Sequence, residues 1–269
     1  MKKFVFYPIS SGSCGNAIYV ECAGVHFLID CGLSGIRIKR GLAMEGFDVS
    51  NLSFILLTHA HFDHTSGIGV MARRHHIPIY ASTGTWNYIR RDERLGKIDS
   101  DLRCPFRRDP KISCLPPGMT ITAFSTPHDA ADSVGYRIEC DGRSAAIATD
   151  LGYVSLEVKS ALLGADLVLI ESNYDPDMLW NSSYPLDLIE RIEGNRGHLS
   201  NAAAGKFAVE LVKSGTKKIY LGHLSQENNT PRLARSTVAD ELKRAGIDPQ
   251  KDVRLMLAKR DEPSVVSRW

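Results

Sequence analysis

Thr58-His59-Ala60-His61-Phe62-Asp63-His64 is the stretch on which the fold turns. His59, His61, Asp63 and His64 are potential metal ligands packed into six residues. They follow Phe54-Ile55-Leu56-Leu57, a continuous apolar run of the kind expected of a strand buried on both faces. A strand-to-helix loop can turn all four side chains to one side. Imidazole and carboxylate together suit zinc, iron and manganese. A solvated surface loop accounts for the pattern less well, because it needs neither the apolar strand before it nor the Gly-rich exit Ser66-Gly67-Ile68-Gly69.

Four donors on one loop do not complete two metal spheres, so further His and Asp residues are expected at other strand ends. They are there. His128 follows an apolar-patterned run in Thr126-Pro127-His128-Asp129, Asp150 ends Ala146-Ile147-Ala148-Thr149-Asp150, and His223 follows Ile219-Tyr220-Leu221-Gly222. Each alone is ambiguous between a core residue, a surface residue and a ligand. Their common position just after a β-type run makes them a set.

Working outward, residues 3–9, 17–22 and 25–29 read as strands, with Ala23-Gly24 a tight hairpin connection. Residues 66–75 have helical character and 79–81 strand character. Residues 90–117 mix charge, Pro and Gly without a period and read as a long loop. Strands are expected at 120–124, 134–140, 144–149, 166–171, 217–221 and 253–257, and helices at 201–214 and 231–245. The result is a β-rich first half and a β-α-β second half, without an internal repeat.

The whole pattern resembles the metallo-β-lactamase superfamily, through its H-x-H-x-D-H motif plus a later His, Asp and His. Six further segments sharpen the likeness: Ser10-Ser11-Gly12-Ser13-Cys14-Gly15-Asn16-Ala17, Thr126-Pro127-His128-Asp129-Ala130, Ala148-Thr149-Asp150-Leu151-Gly152, Glu171-Ser172-Asn173-Tyr174-Asp175, Gly197-His198-Leu199-Ser200-Asn201 and residues 221–229. Together they are similar to the YycJ/WalJ-type family of bacterial exonuclease-like enzymes, nearly end to end. Tyr174 departs from that pattern, which expects His there.

The resemblance implies an α/β chain of one domain, residues 1–269. Its expected architecture is a metallo-β-lactamase αββα four-layer sandwich, two mixed β-sheets flanked by helices. It implies two divalent metal ions, Zn, Mn or Fe. His59, His61 and His128 would hold one, Asp63, His64 and His223 the other, and Asp150 would bridge them. A hydroxide between the ions would be the nucleophile, with Asp63 counted among the catalytic residues as well as the ligands. The implied activity is a phosphodiesterase acting on nucleic acid, a 5′-to-3′ exodeoxyribonuclease with DNA as substrate. The rival readings are a small-molecule hydrolase on the same fold (a cyclic-phosphate phosphodiesterase or lactonase) and a binding protein on a decayed fold. The intact ligand set argues against decay.

Outside the metal set, His198 precedes a helix for which Ser200 or Asn201 is a good N-cap. As a catalytic residue it would face the scissile phosphate and protonate the leaving oxygen. The helix N-terminus would favour a phosphate oxyanion, which makes Ser200 and Asn201 candidate substrate contacts. The loop carrying Ser11, Ser13 and Asn16 is rich in donors and can form an anion nest. Asp30 and Glu171 end strands and are expected to orient ligands. Basic residues cluster at Arg73-Arg74, Arg90-Arg91, Arg94, Arg103 and Arg107-Arg108, interleaved with Trp86, Tyr88 and Phe106. They are read as a track for a nucleic-acid backbone, the alternative being solvated surface charge.

The formal net charge of +2 over 269 residues announces no polyanion binder, so basic surface must be local. None of the six cysteines forms a C-x-x-C pair, which excludes zinc-ribbon and thioredoxin-type chemistry. The apolar start ends at Pro8 and lacks the core of a signal peptide. Cytoplasmic location with free thiols is the corresponding expectation.

Overall fold

The computed structural model describes residues 4–107, 109–110 and 112–269. In chain order the elements are β1 (Phe4–Ser10), β2 (Ala17–Cys22), β3 (Val25–Ile29), α1 (Gly35–Met44), β4 (Phe54–Leu56), α2 (Phe62–Thr65), α3 (Ile68–His75), β5 (Ile79–Ser82), α4 (Thr83–Ile89), β6 (Arg103–Phe106), β7 (Met119–Ser125), β8 (Val134–Cys140) and β9 (Arg143–Ala148). The rest are α5 (Leu156–Leu162), β10 (Leu167–Glu171), α6 (Pro176–Trp180), α7 (Leu186–Glu193), α8 (Asn201–Lys213), β11 (Lys218–Gly222), α9 (Pro231–Arg244), β12 (Arg254–Leu257) and β13 (Ser267–Arg268).

The strands form two sheets, ordered β13-β1-β2-β3-β4-β5-β6 and β12-β11-β10-β9-β8-β7. Both are mixed. β1, β2 and β3 pair antiparallel, and β3 to β6 continue parallel. Likewise β7, β8 and β9 pair antiparallel, and β9 to β12 run parallel. The β2–β3 hairpin turns through Ala23 (φ 51°) and Gly24 (φ 84°), the double positive φ of a type I′ turn.

Side-chain alternation along the strands divides the core into layers. Phe4, Phe6, Val20, Phe27 and Leu56 of the first sheet meet Ile121, Tyr136, Ile147, Leu169 and Tyr220 of the second in one buried cluster. Their neighbours Val5, Tyr7, Tyr19, Leu28 and Ile55 face the other way, onto Ile38 and Leu42 of α1, Met71 of α3 and Trp86 of α4. On the far side Ala146, Val168, Ile170 and Ile219 meet Val158 of α5, Phe207 and Leu211 of α8 and Val238 of α9. The layers are therefore helix, sheet, sheet, helix, as expected. Side-chain caps start the long helices: Ser200 Oγ accepts from Ala203 N at 3.2 Å, and Thr230 Oγ1 from Leu233 N at 3.1 Å ahead of Pro231.

Two expectations need correction. Residues 90–117 are not one loop, since β6 lies within them and closes the first sheet as an edge strand, where Pro105 is tolerated. The thiols are not all free, because Cys22 on β2 and Cys140 on β8 form a disulfide between the two sheets, with Cα atoms 6.8 Å apart. Three of the basic residues in the segment after the metal loop bond within that segment. Arg73 Nη1 donates to Leu95 O and Lys97 O, Arg103 donates to Ile98 O, and Arg94 pairs with Asp92. Arg108 lies outside the described residues.

Candidate active site

β3 and β4 run parallel in the first sheet, and in the second β7, β9, β10 and β11 share one direction, because β7 reaches β9 through two antiparallel steps. The side chains that follow their C-terminal ends meet at one edge of the sandwich, where ligands of such sheets bind. Asp30, His59, His128, Asp150, Glu171 and His223 come from those ends. Three of them carry left-handed backbone: Asp30 (φ 59°), Asp150 (φ 60°) and His223 (φ 52°). Non-glycine residues in that region are costly and cluster at functional sites. The sharp turns swing the side chains out of the sheets and across the edge.

The four-donor stretch does not remain a loop. His61 is the N-cap of the single-turn helix α2, which carries Asp63 and His64. The 10–16 loop and the turn after β3 clamp its backbone, as Asn16 N donates to Asp63 O at 2.7 Å and Cys31 N to His64 O at 2.9 Å. Gly32 permits this approach, since a Cβ there would sit 1.6 Å from Asp63 O.

Two groups of three donors result. His59, His61 and His128 offer nitrogens that all lie within 4.8 Å of one another, and the nitrogens of His64 and His223 lie as close to an Asp63 oxygen; Asp150 also groups with His59 and His64, and with Glu171, His198 and His223. Asp150 stands between the groups. Its Oδ2 is 3.4 Å from His64 Nε2, and its Oδ1 is 3.6 Å from both His128 Nε2 and His223 Nδ1. The buried atoms His59 Nε2, Asp150 Oδ2 and Asp129 Oδ1 have no hydrogen-bond partner among the described residues. Burying unpaired polar atoms is unfavourable unless something else binds them. Divalent cations answer that need, and the donor set fits them.

A surrounding layer fixes which nitrogen each histidine presents. His64 Nδ1 donates to Asp30 Oδ2 at 2.8 Å, and Asp30 also accepts from Thr58 N at 2.8 Å. His128 Nδ1 donates to Gly197 O at 3.1 Å, leaving Nε2 to face His61 Nδ1 at 3.3 Å. Glu171, fully buried, accepts four bonds. Oε1 takes His198 Nδ1 and His223 Nδ1, each at 2.8 Å. Oε2 takes Leu151 N at 2.7 Å and Leu199 N at 3.0 Å.

The electrostatics follow from this geometry. Burial disfavours charge on His64 and His223, but the surrounding carboxylates outweigh it. Asp30, Asp63 and Asp150 hold His64 well above the ordinary histidine value. Asp150, Asp63 and Glu171 bring His223 to about 10. His59 is pushed well below by its own burial and by His64. Burial raises the Glu171 carboxyl, yet His198 and His223 bring it to about 2. His198 is raised, because Glu171 and Asp150 overcome its burial.

The groups open into a cleft of about 290 Å³. Ser13, His61, Asp63, His128, Asp150, His198 and His223 line it. The other candidate substrate contacts are inside the scaffold. Ser11 Oγ accepts from His223 N at 2.9 Å, Asn16 braces Gly12 and Asp63, Ser200 caps α8, and Asn201 bonds Ser172 and Asn229. No residue from 73 to 107 lines the cleft among those described. Tyr174 packs with Leu179 and Ile189 beside the site. The sequence reading missed the opposite wall, Tyr184, Leu188, Arg191 and Ile192 of and before α7, and missed Asp129, whose Oδ2 accepts from Arg191 Nε at 2.6 Å. Leu188, Arg191 and Ile192 have only the ordinary spacing of one helix face, which gives no functional signal.

A β-lactamase superfamily domain model matches residues 26–224. Exodeoxyribonuclease WalJ of Streptococcus pneumoniae is 38% identical over 244 residues, which is 91% of this chain and 90% of that protein. Exodeoxyribonuclease YycJ of Bacillus anthracis is 36% identical over 242 residues, 90% of each. The crystal structure of the metallo-β-lactamase fold protein YhfI from Bacillus subtilis shares the fold, with a TM-score of 0.72 at 16% identity over the whole of both chains. Matched in this way over nine tenths of its length, the chain belongs to the β-lactamase superfamily and, within it, to the family of the WalJ and YycJ exodeoxyribonucleases.

Proposed function

We propose that the chain is a metal-dependent phosphodiesterase that digests DNA, an exodeoxyribonuclease working from 5′ to 3′ in the cytoplasm. The observation that carries the reading is the pair of three-donor groups astride Asp150, in a chain so similar to proteins named exodeoxyribonucleases. Two divalent ions are assigned, one to His59, His61 and His128 and the other to Asp63, His64 and His223, with Asp150 shared. Bound there, such ions supply Lewis acidity towards a phosphodiester and lower the pKa of water.

The chain's own residues do the rest. Asp30 and Glu171 lock His64 and His223 by their Nδ1 atoms, so both present Nε2 to the cleft. The Gly197 carbonyl does this for His128. His198 is the proton donor. Its Nδ1 is committed to Glu171 Oε1, so the mobile proton sits on Nε2. Glu171 beside it favours the protonated imidazole, and the leaving oxygen would take that proton. The Asp129–Arg191 pair closes the rim beside His128.

The test is direct. Protein reconstituted with manganese or zinc is incubated with end-labelled single- and double-stranded DNA and RNA. Progressive loss of DNA from its 5′ end is expected. Uncut DNA of every end type, alongside rapid hydrolysis of a small chromogenic diester, would replace this reading with the small-molecule hydrolase.

A further inference from the structure

The loop of residues 126–130 has a hollow on each side. His128 lines both: the metal-group cleft on one side, and on the other an open groove of about 560 Å³ bounded by Thr126, Tyr153, Asn195 and Arg196. The groove is a built feature. Gly152 N donates to Pro127 O at 2.9 Å, and Arg196 Nε donates to His128 O at 3.1 Å. Gly152 lies flat against the segment before α8, since a Cβ there would meet Asn195 C at 2.2 Å and Arg196 N at 2.6 Å. A residue with a side chain would prise the two loops apart. This contact brings the next residue, Tyr153, into the wall that Arg196 shares, with 48% of its surface exposed. The Arg196 Nη groups have no acceptor among the described residues. Asp132, the acid of this groove, has its carboxylate engaged by Gly84 N at 3.0 Å.

An exposed ring, a guanidinium with free donors and a side-chain amide are the means by which proteins hold single strands: stacking of a base, and a fork on a phosphate. Their place is across His128 from the metal groups. We infer that this groove carries the undigested strand. Single-stranded DNA passes from the cleft over the 126–130 loop, Tyr153 stacks a base near the scissile bond, and Arg196 holds a neighbouring phosphate. The inference rests on the nuclease reading and adds the path of the substrate to it.

Binding is measured by fluorescence anisotropy on manganese-loaded His198→Ala protein, which spares the DNA, with single strands of two to eight nucleotides. Affinity should rise with length. Tyr153→Ala in that background should remove the rise and weaken the longer strands by about 10-fold, the loss of one stacked base, while Tyr153→Phe restores it. Strands carrying 5-iododeoxyuridine at successive positions should photocross-link to Tyr153 from an internal nucleotide. Full affinity for long strands in Tyr153→Ala, or cross-links from every position that miss this groove, would overturn the inference while leaving the nuclease reading intact. Failure to bind any strand, with active wild-type protein hydrolysing a chromogenic diester, would overturn both.

Discussion

Replacing Glu171 by Gln tests the linkage on which both histidine assignments depend. All four neighbours of this buried carboxylate are N–H groups: two imidazole Nδ1 atoms on Oε1 and two backbone amides on Oε2. A carboxylate is acceptor-only and satisfies them all. The amide has the same shape but must turn its NH₂ towards one pair of donors. Facing Leu151 and Leu199, it leaves two buried backbone donors unpaired, at about 1–3 kcal/mol each. That would lower Tm by about 4–24 °C, at about 2–4 °C per kcal/mol for a chain approaching this size. Facing the histidines, it forces each Nδ1 to accept and so moves each proton to Nε2. On His223 that nitrogen is the one 3.4 Å from Asp63 Oδ2, and it would no longer be free for a metal.

Either way His198 loses the charge that raises its pKa. Glu171→Gln should therefore lower kcat/KM by about 10²–10⁴-fold. Because the acid form is required, the alkaline limb of the pH profile should move to lower pH. Metal content by elemental analysis should fall at the His223 side. A variant with unchanged Tm, both metals and the wild-type pH limb would refute the argument.

Asp150→Ala should lose metal and activity together, since this carboxylate neighbours both donor groups; retention of both ions with full activity would remove it from the centre. His198→Ala should cost about 10²–10⁴-fold in turnover with metal content intact, and a substrate with a better leaving group should recover part of it; equal losses on good and poor leaving groups would point to positioning instead. Metal uptake should release protons and tighten as pH rises, because His64 and His223 are held above their ordinary values and must be neutral to ligate; calorimetry in two buffers of different ionisation enthalpy reads the proton count, and no buffer dependence would contradict it. Thiol titration of non-reduced, unfolded protein should count Cys14, Cys31, Cys104 and Cys114 but not Cys22 or Cys140. Six titrating thiols would show that the inter-sheet bridge does not form.

What could be read from the sequence was whatever a strand end declares locally. Apolar runs such as Phe54 to Leu57 must lie inside a sheet, so the polar residues that follow them must lie at its edge, and a run of His and Asp there has few structural uses. That logic located all seven proposed ligands as well as Asp30 and Glu171; His198, which precedes α8 and follows no strand, was singled out by its place before a helix and by the family resemblance. It failed where a side chain's partner is set by packing. Ser11, Asn16, Ser200 and Asn201 have the right chemistry to meet a phosphate, but Ser11, Asn16 and Asn201 are buried and so must be paired within the scaffold, and Ser200 is taken up in capping α8. Arg73 and Arg103 look like phosphate contacts in a basic stretch, yet they bond the carbonyls of the segment they belong to.

The two sheets divide the labour in a way no local pattern states. The first sheet contributes one contiguous group of donors, with Asp30 behind it. The second contributes His128, Asp150, Glu171 and His223 from four separate ends, and each proposed metal takes ligands from both. The centre therefore exists only when the sheets are packed face to face at the right offset, and that offset is set by buried pairs such as Phe6–Tyr220, with ring centroids 5.7 Å apart. A core substitution far from the cleft that slid one sheet against the other would separate His128 from His59 and His61, and His223 from Asp63 and His64. Its effect would appear as a loss of metal affinity before it appeared as unfolding.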